Sequence, residues 1–156
     1  MKTKFDRNSV RTWDDPLSER PLMDILLDSS FVIALVKQRR DLERELIDAI
    51  PKKIKIKILD LVLLELEHLA RKGPSVTWTS AKAGLELLVK RGYQVLEHKP
   101  GPVDVDASLL AFAVSARPPT AIATLDRGLR EGSRALGVSV ISLKKVHGLI
   151  VEGSLN

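Results

Sequence analysis

Four acids stand where carboxylates could hold a metal ion together. Asp28 closes the apolar run Ile25-Leu26-Leu27, Asp126 closes Thr124-Leu125, and Asp106 opens an amphipathic stretch with Asp104 just ahead of it. Taken singly, each Asp reads as an ordinary helix N-cap that accepts backbone N–H groups. Glu65 does not. At helical spacing its neighbours are Leu61, Val62, His68 and Leu69, a largely apolar face, whereas Glu67 has Arg71 at i+4 as a solvated partner. Two carboxylates ~5 Å apart repel by about 3 kcal/mol at an effective dielectric near 20, so a cluster of three or four needs a compensating cation. The chain has no cysteine, so a metal must sit on oxygen or imidazole. A hard divalent ion such as Mg²⁺ prefers oxygen ligands and keeps several waters. It can therefore orient a water for in-line attack on a phosphodiester and stabilise charge on the transferring phosphorus. The chemistry would be phosphodiester hydrolysis.

The elements that must position these acids follow from periodicity. Ile25 to Asp28 reads as a buried strand, and Ser29-Ser30 caps a helix over Phe31 to Lys37. Asp41 to Ile50 is a helix stopped by Pro51. Lys53 to Ile58 alternates strictly between Lys and Ile, a strand with one wet face, followed by a helix over Asp60 to Arg71. Thr77 to Lys90 is a helix with a glycine stop at Gly92, and Tyr93 to Leu96 a short strand. Asp106 to Ala116 is a helix broken before the strand Thr120 to Thr124. Asp126 to Leu136 is another, closed by Gly137, and Val138 to Leu143 is the last strand. About five apolar strands alternating with helices imply an α/β fold with a parallel sheet covered on both faces. In such sheets ligands bind outside the carboxyl ends of the strands, and the acids fall on that edge.

The whole chain sets bounds on these readings. With 156 residues it is one domain. Residues 1–22 mix five basic with four acidic residues and show neither apolar period, so they read as an arm; residues 23–151 form the domain and 152–156 a tail, with Met23 as an alternative natural start. At 44% hydrophobic and 29% charged, the composition is that of a soluble globular protein. The apolar run Phe31 to Val36 is far short of the ~18 residues needed to span a bilayer, and no signal core precedes it, so a cytoplasmic protein without membrane contact is expected. The net charge of +5 suits a polyanionic partner. Six aromatic residues are too few for a base-stacking platform, so phosphate contacts should dominate in any nucleic-acid complex. Two Asn, two Gln and no Cys are low counts of thermolabile residues, as expected of a thermophile.

In order along the chain, Leu27-Asp28-Ser29-Ser30, Leu64-Glu65-Leu66-Glu67-His68-Leu69, Asp104-Val105-Asp106-Ala107-Ser108 and Ala123-Thr124-Leu125-Asp126-Arg127-Gly128 resemble the motifs of PIN-domain ribonucleases. The resemblance runs from Met23 to about Val151. It implies a three-layer α/β/α sandwich and divalent-metal-dependent endonucleolytic cleavage of RNA with Mg²⁺ or Mn²⁺. By the same resemblance Asp28, Glu65, Asp106 and Asp126 are the catalytic metal ligands and Asp104 an auxiliary ligand. Ser29 and Thr124 lie where the family has a hydroxyl near the site, and Leu125 departs from the polar residue often found between that Thr and Asp. Within the family the sequence from Asp126 to Ile141 resembles the branch that processes small-subunit ribosomal RNA more than the VapC-like toxins. RNA, as a ribosomal precursor, is the implied partner, and a homodimer, a protein partner or an antitoxin is compatible with the resemblance.

Arg127, Arg130 and Arg134 share one face of the helix that Asp126 caps, a substrate-binding face for RNA phosphates or else a solvated face neutralised by Glu131. Lys53, Lys55 and Lys57 read as a protected edge strand more than as a binding stripe. Lys37, Arg39 and Arg40 lie close to the first strand's exit, where they could border the cleft. His68, His98 and His147 have no ligand spacing and are expected at the surface or in structural roles. Two other classes fit the strand-end acids less well. A silent binding module would be expected to have lost acids, and a phosphoacceptor receiver would carry paired acids after its first strand, where only Asp28 stands. Metal-dependent RNA cleavage separates the first class from both.

Overall fold

A computed structural model of the chain describes residues 22–101 and 104–154. Of the arm assigned to residues 1–22, residues 1–21 lie outside the described residues. Leu22, counted with the arm, is the first residue of strand β1 (Leu22–Leu27).

β1 is followed by α1 (Ser29–Lys37), α2 (Leu42–Ala49), β2 (Lys53–Leu59), α3 (Asp60–Lys72), α4 (Ser75–Arg91), β3 (Gln94–Leu96), α5 (Val105–Ser115), β4 (Thr120–Ala123), α6 (Arg127–Ala135), β5 (Ser139–Leu143) and β6 (Leu149–Glu152). The sheet order is β3-β2-β1-β4-β5-β6. The first five strands are parallel, and β6 returns antiparallel along β5. Six strands therefore replace the expected five. The sixth is short and lacks alternation, and it follows Gly148, whose positive φ of 87° turns the chain back. Glu152, assigned to the tail, is its last residue.

β1 shows why the sheet must be covered on both faces. Met23 through Leu27 are all buried although successive side chains point to opposite sides. On one side α1, α3 and α4 pack on one another; α5 and α6 pack together and against β4 and β5. Phe31, Ile58, Leu59, Leu66 and Leu109 fill the core. Gly92, in the left-handed region at φ 68°, ends α4 as the sequence predicts.

The lysine row has a different explanation from the one expected. β2 is an interior strand, yet β3 covers only Lys57 to Leu59, so the first half of β2 keeps an open edge where Lys53 and Lys55 are exposed. Lys57 instead reaches Asp24 on the neighbouring strand β1, Nζ to Oδ2 at 2.6 Å. Asp24 is buried, and its Oδ1 has no hydrogen-bond partner among the described residues. Lys57 is thus a counter-ion to a charge inside the sheet.

Candidate active site

Between β1 and β4 the connections depart in opposite directions, toward β2 on one side and β5 on the other. At such a switch point the loops leaving two adjacent strands separate and open a crevice at their carboxyl ends. Asp28 leaves β1 there, and Thr124 and Asp126 leave β4 there.

Asp28 occupies the N-cap position of α1 but its side chain makes no cap hydrogen bond, so the ordinary explanation for this acid fails. It is 4% exposed. The Thr124 hydroxyl donates to its Oδ2 at 2.7 Å and the Ser30 hydroxyl to the same oxygen at 2.8 Å. Those two hydroxyls fix the carboxylate rotamer through one oxygen and leave Oδ1 for another partner. Thr124 is fully buried and also accepts the Asp126 N–H at 3.0 Å, while Ser30 accepts the Leu125 N–H at 3.0 Å. Leu125 therefore contributes through its backbone, and a polar side chain there is not needed to tie the two loops. Ser30, which sequence reasoning passed over in favour of Ser29, joins the β1 and β4 exits. Ser29 donates instead to Glu65 Oε1, linking α1 to α3.

The other aspartates divide in two. Asp126 caps α6 by accepting the Leu129 N–H at 2.8 Å, and Asp104 accepts the Asp106 N–H at 3.1 Å at the start of α5. Each thus spends one oxygen on a helix end. Asp106, in the first turn of α5, is the electrostatic centre of the group. Burial pushes its pKa up to about 6, reinforced by the negative charges of Asp28, Asp126, Asp104 and Glu65. The other four predicted acids thus lie within electrostatic reach of Asp106. None of the five is ion-paired with a Lys, Arg or His among the described residues. Nor do any three of them converge on one point as the side chains lie, among the described residues. Like charges without a counter-ion favour that separation. The chemistry of these side chains, carboxylate oxygen throughout, is the kind a hard divalent ion takes.

The pH dependence of the metal-free protein follows from Asp106. Its folded pKa of about 6 lies above the ordinary value of 3.8, so the folded state holds the proton more tightly. The resulting stabilisation is complete below pH ~4 and is lost as pH rises through about 6. In EDTA, Tm relative to Asp106→Asn is expected to fall across that window, and added Mn²⁺ to restore it. A pH-independent difference between the two proteins, read by thermal melts, would contradict this origin of the shift.

Glu65 is half-buried and Glu67 exposed. Glu67 and Arg71 line a shallow groove with Trp78 and Lys82, but they form no ion pair among the described residues, contrary to the expected solvated pair. The three arginines of α6 also differ from one another. Arg130 and Arg134 both bind Glu152 of β6, at 3.0 and 2.6 Å, and so anchor α6 to the last strand. Arg127 is 90% exposed and paired only with Glu131 on its own helix, a contact worth little in water. Arg40 is held by Glu45 and by the carbonyls of Lys144 and Gly148, a structural knot and not a cleft residue.

His68 and His147 are exposed, as expected. His98 is engaged. Its Nδ1 lies 2.9 Å from Asp60 Oδ2, and its N–H donates to Asp60 Oδ1. Burial alone would raise the Asp60 pKa. Hydrogen bonds from the His98 ring and from the N–H groups of His98 and Leu61 outweigh it and hold Asp60 below the usual carboxylate range.

No family model and no curated protein sequence matches the chain. Among solved structures it is similar to the PIN domain endonuclease Utp24, with a TM-score of 0.70 and 20% identity over 85% of this chain and 93% of that one. A domain of a functionally unknown protein from Methanocaldococcus jannaschii DSM 2661 is also similar, with a TM-score of 0.57 and 19% identity over 85% and 99% of the two chains. The fold is therefore that of PIN domains, a mixed α/β architecture around a mostly parallel six-stranded sheet. No helix among the described residues is long and apolar enough to cross a membrane.

Proposed function

We propose that the protein is a divalent-metal-dependent endoribonuclease that cleaves single-stranded RNA, with precursor ribosomal RNA as its substrate. The observation that carries this reading is the set of four carboxylates whose charge acts on Asp106, none of the five paired with a cation among the described residues, at the switch point of a fold shared with a PIN domain endonuclease. Bound there, Mg²⁺ or Mn²⁺ would supply a polarised water and neutralise charge on the phosphate. The chain's own residues do the rest. Thr124 and Ser30 hold Asp28 with one oxygen turned from the hydroxyls. Ser29 holds Glu65. Arg127, exposed beside Asp126 and paired only across solvent-exposed atoms with Glu131 among the described residues, is the α6 cation placed to exchange that partner for a phosphate, while Arg130 and Arg134 remain with Glu152. The complete set of acids supports turnover over silent binding.

The processing role is favoured over the toxin role by the sequence between Asp126 and Ile141. Expression in a heterologous host is expected to leave growth unaffected. Growth arrest that disappears with Asp28→Asn would reverse that choice in favour of a toxin. Loss of divalent-dependent RNA cleavage altogether would overturn both.

A further inference from the structure

The carboxyl edge of the sheet carries a second pair of groups beside the acid cluster. In the order of the strands, the residues that leave them are His98 after β3, Asp60 after β2, Asp28 after β1, and Thr124 with Asp126 after β4. The pairing of Leu26 with Lys57 and of Leu59 with Leu96 sets Asp28 level with Leu59 and Leu96, so Asp60 follows one residue and His98 two residues beyond that level on the same edge. His98 thus stands two strand spacings from Asp28, about 10 Å across the sheet, and two residues further out along the strand direction. That is the reach of a neighbouring nucleotide and too far for the scissile phosphate.

Asp60 decides which ring nitrogen of His98 is available. It already accepts the Leu61 N–H at 2.7 Å and the His98 N–H, and an ionised carboxylate can only accept. The 2.9 Å contact therefore places the ring proton on Nδ1 and leaves Nε2 as an acceptor. Nε2 has no hydrogen-bond partner among the described residues, and the side chain is 32% exposed.

A fixed acceptor on this edge meets a hydroxyl donor, and RNA carries one on every ribose where DNA carries none. We propose that His98, oriented by Asp60, accepts a hydrogen bond from the 2′-hydroxyl of a ribose flanking the cleaved bond and so selects RNA over DNA. The proposal rests on the nuclease reading. His98 contacts substrate away from the reacting atoms, and Asp60 acts through it as a positioning residue.

The experiment scans single 2′-deoxy substitutions through a short RNA on both sides of its cut. kcat/KM is measured for the wild type, His98→Ala, His98→Gln and Asp60→Asn, with melts to verify folding. Loss of one neutral hydrogen bond corresponds to about a three- to tenfold loss. Such a loss is expected at one position for the wild type, carried in KM. At that position His98→Ala and Asp60→Asn should be insensitive, although each cleaves all-ribose RNA more weakly than wild type, while His98→Gln, which keeps an acceptor, should retain part of the effect. A merely structural role would weaken all substrates alike and leave the deoxy effect in place. An equal deoxy sensitivity in wild type and His98→Ala would overturn the proposal while the nuclease reading stands. Absence of cleavage of all-ribose RNA by the wild type would overturn both.

Discussion

Asp28→Asn, Asp106→Asn and Glu65→Gln are each expected to reduce metal-dependent RNA cleavage by about two orders of magnitude or more while preserving the fold. An amide keeps the shape of the carboxylate and removes the charge that a divalent ion requires. Asp106 should be the most sensitive, because burial and then the charges of the other four acids lift its pKa, and an ion there offsets both. Glu67→Gln is the matched control. It lies two residues from Glu65 on α3, about 200° around the helix, and is exposed. It should stay within a few-fold of wild type. Loss of cleavage in Glu67→Gln with retention in Glu65→Gln would mean that α3 presents its other face to the substrate.

Lys57→Met is expected to give the largest loss of stability among surface-reaching substitutions, for a reason unrelated to catalysis. Lys57 is the counter-ion of Asp24, whose carboxylate is 3% exposed and already has one oxygen without a partner. Breaking a buried pair by removing one partner costs about 3 to 5 kcal/mol; partial solvent access of Lys57 should reduce this to about 2 to 3. Adding Asp24→Asn to Lys57→Met should recover most of the loss, since the uncompensated charge is then gone. Chemical denaturation of the three proteins checks this. A single Lys57→Met variant as stable as wild type would show that Asp24 takes up a proton or finds another partner.

The acids and the strands that carry them were legible because both signals are local. An apolar run ending in Asp reads as a strand exit in the sequence, and Glu65 stands out by its apolar neighbours at helical spacing. What was hidden depends on chain segments far apart. Ser30 matters because Thr124, 94 residues away, approaches it, and nothing near Ser30 distinguishes it from Ser29. His98 shows no ligand spacing because its partner, Asp60, lies 38 residues back on the neighbouring strand exit. The lysine row looked like an edge because alternation reports one wet face but not how far the neighbouring strand extends; β3 stops after three residues. Four residues of β6 gave too short a period to read, and with that strand missed, Glu152 could not be seen as the anchor of Arg130 and Arg134.

The central claim is that the carboxylates around Asp106 form a site for metal-dependent RNA hydrolysis. It is tested most directly by incubating end-labelled single-stranded RNA with the protein in Mn²⁺, in Mg²⁺ and in EDTA, with Asp106→Asn alongside. Internal cuts that need the divalent ion and vanish in the variant are the predicted result. Cleavage that persists undiminished in EDTA, or that Asp106→Asn performs as well as wild type, would contradict it.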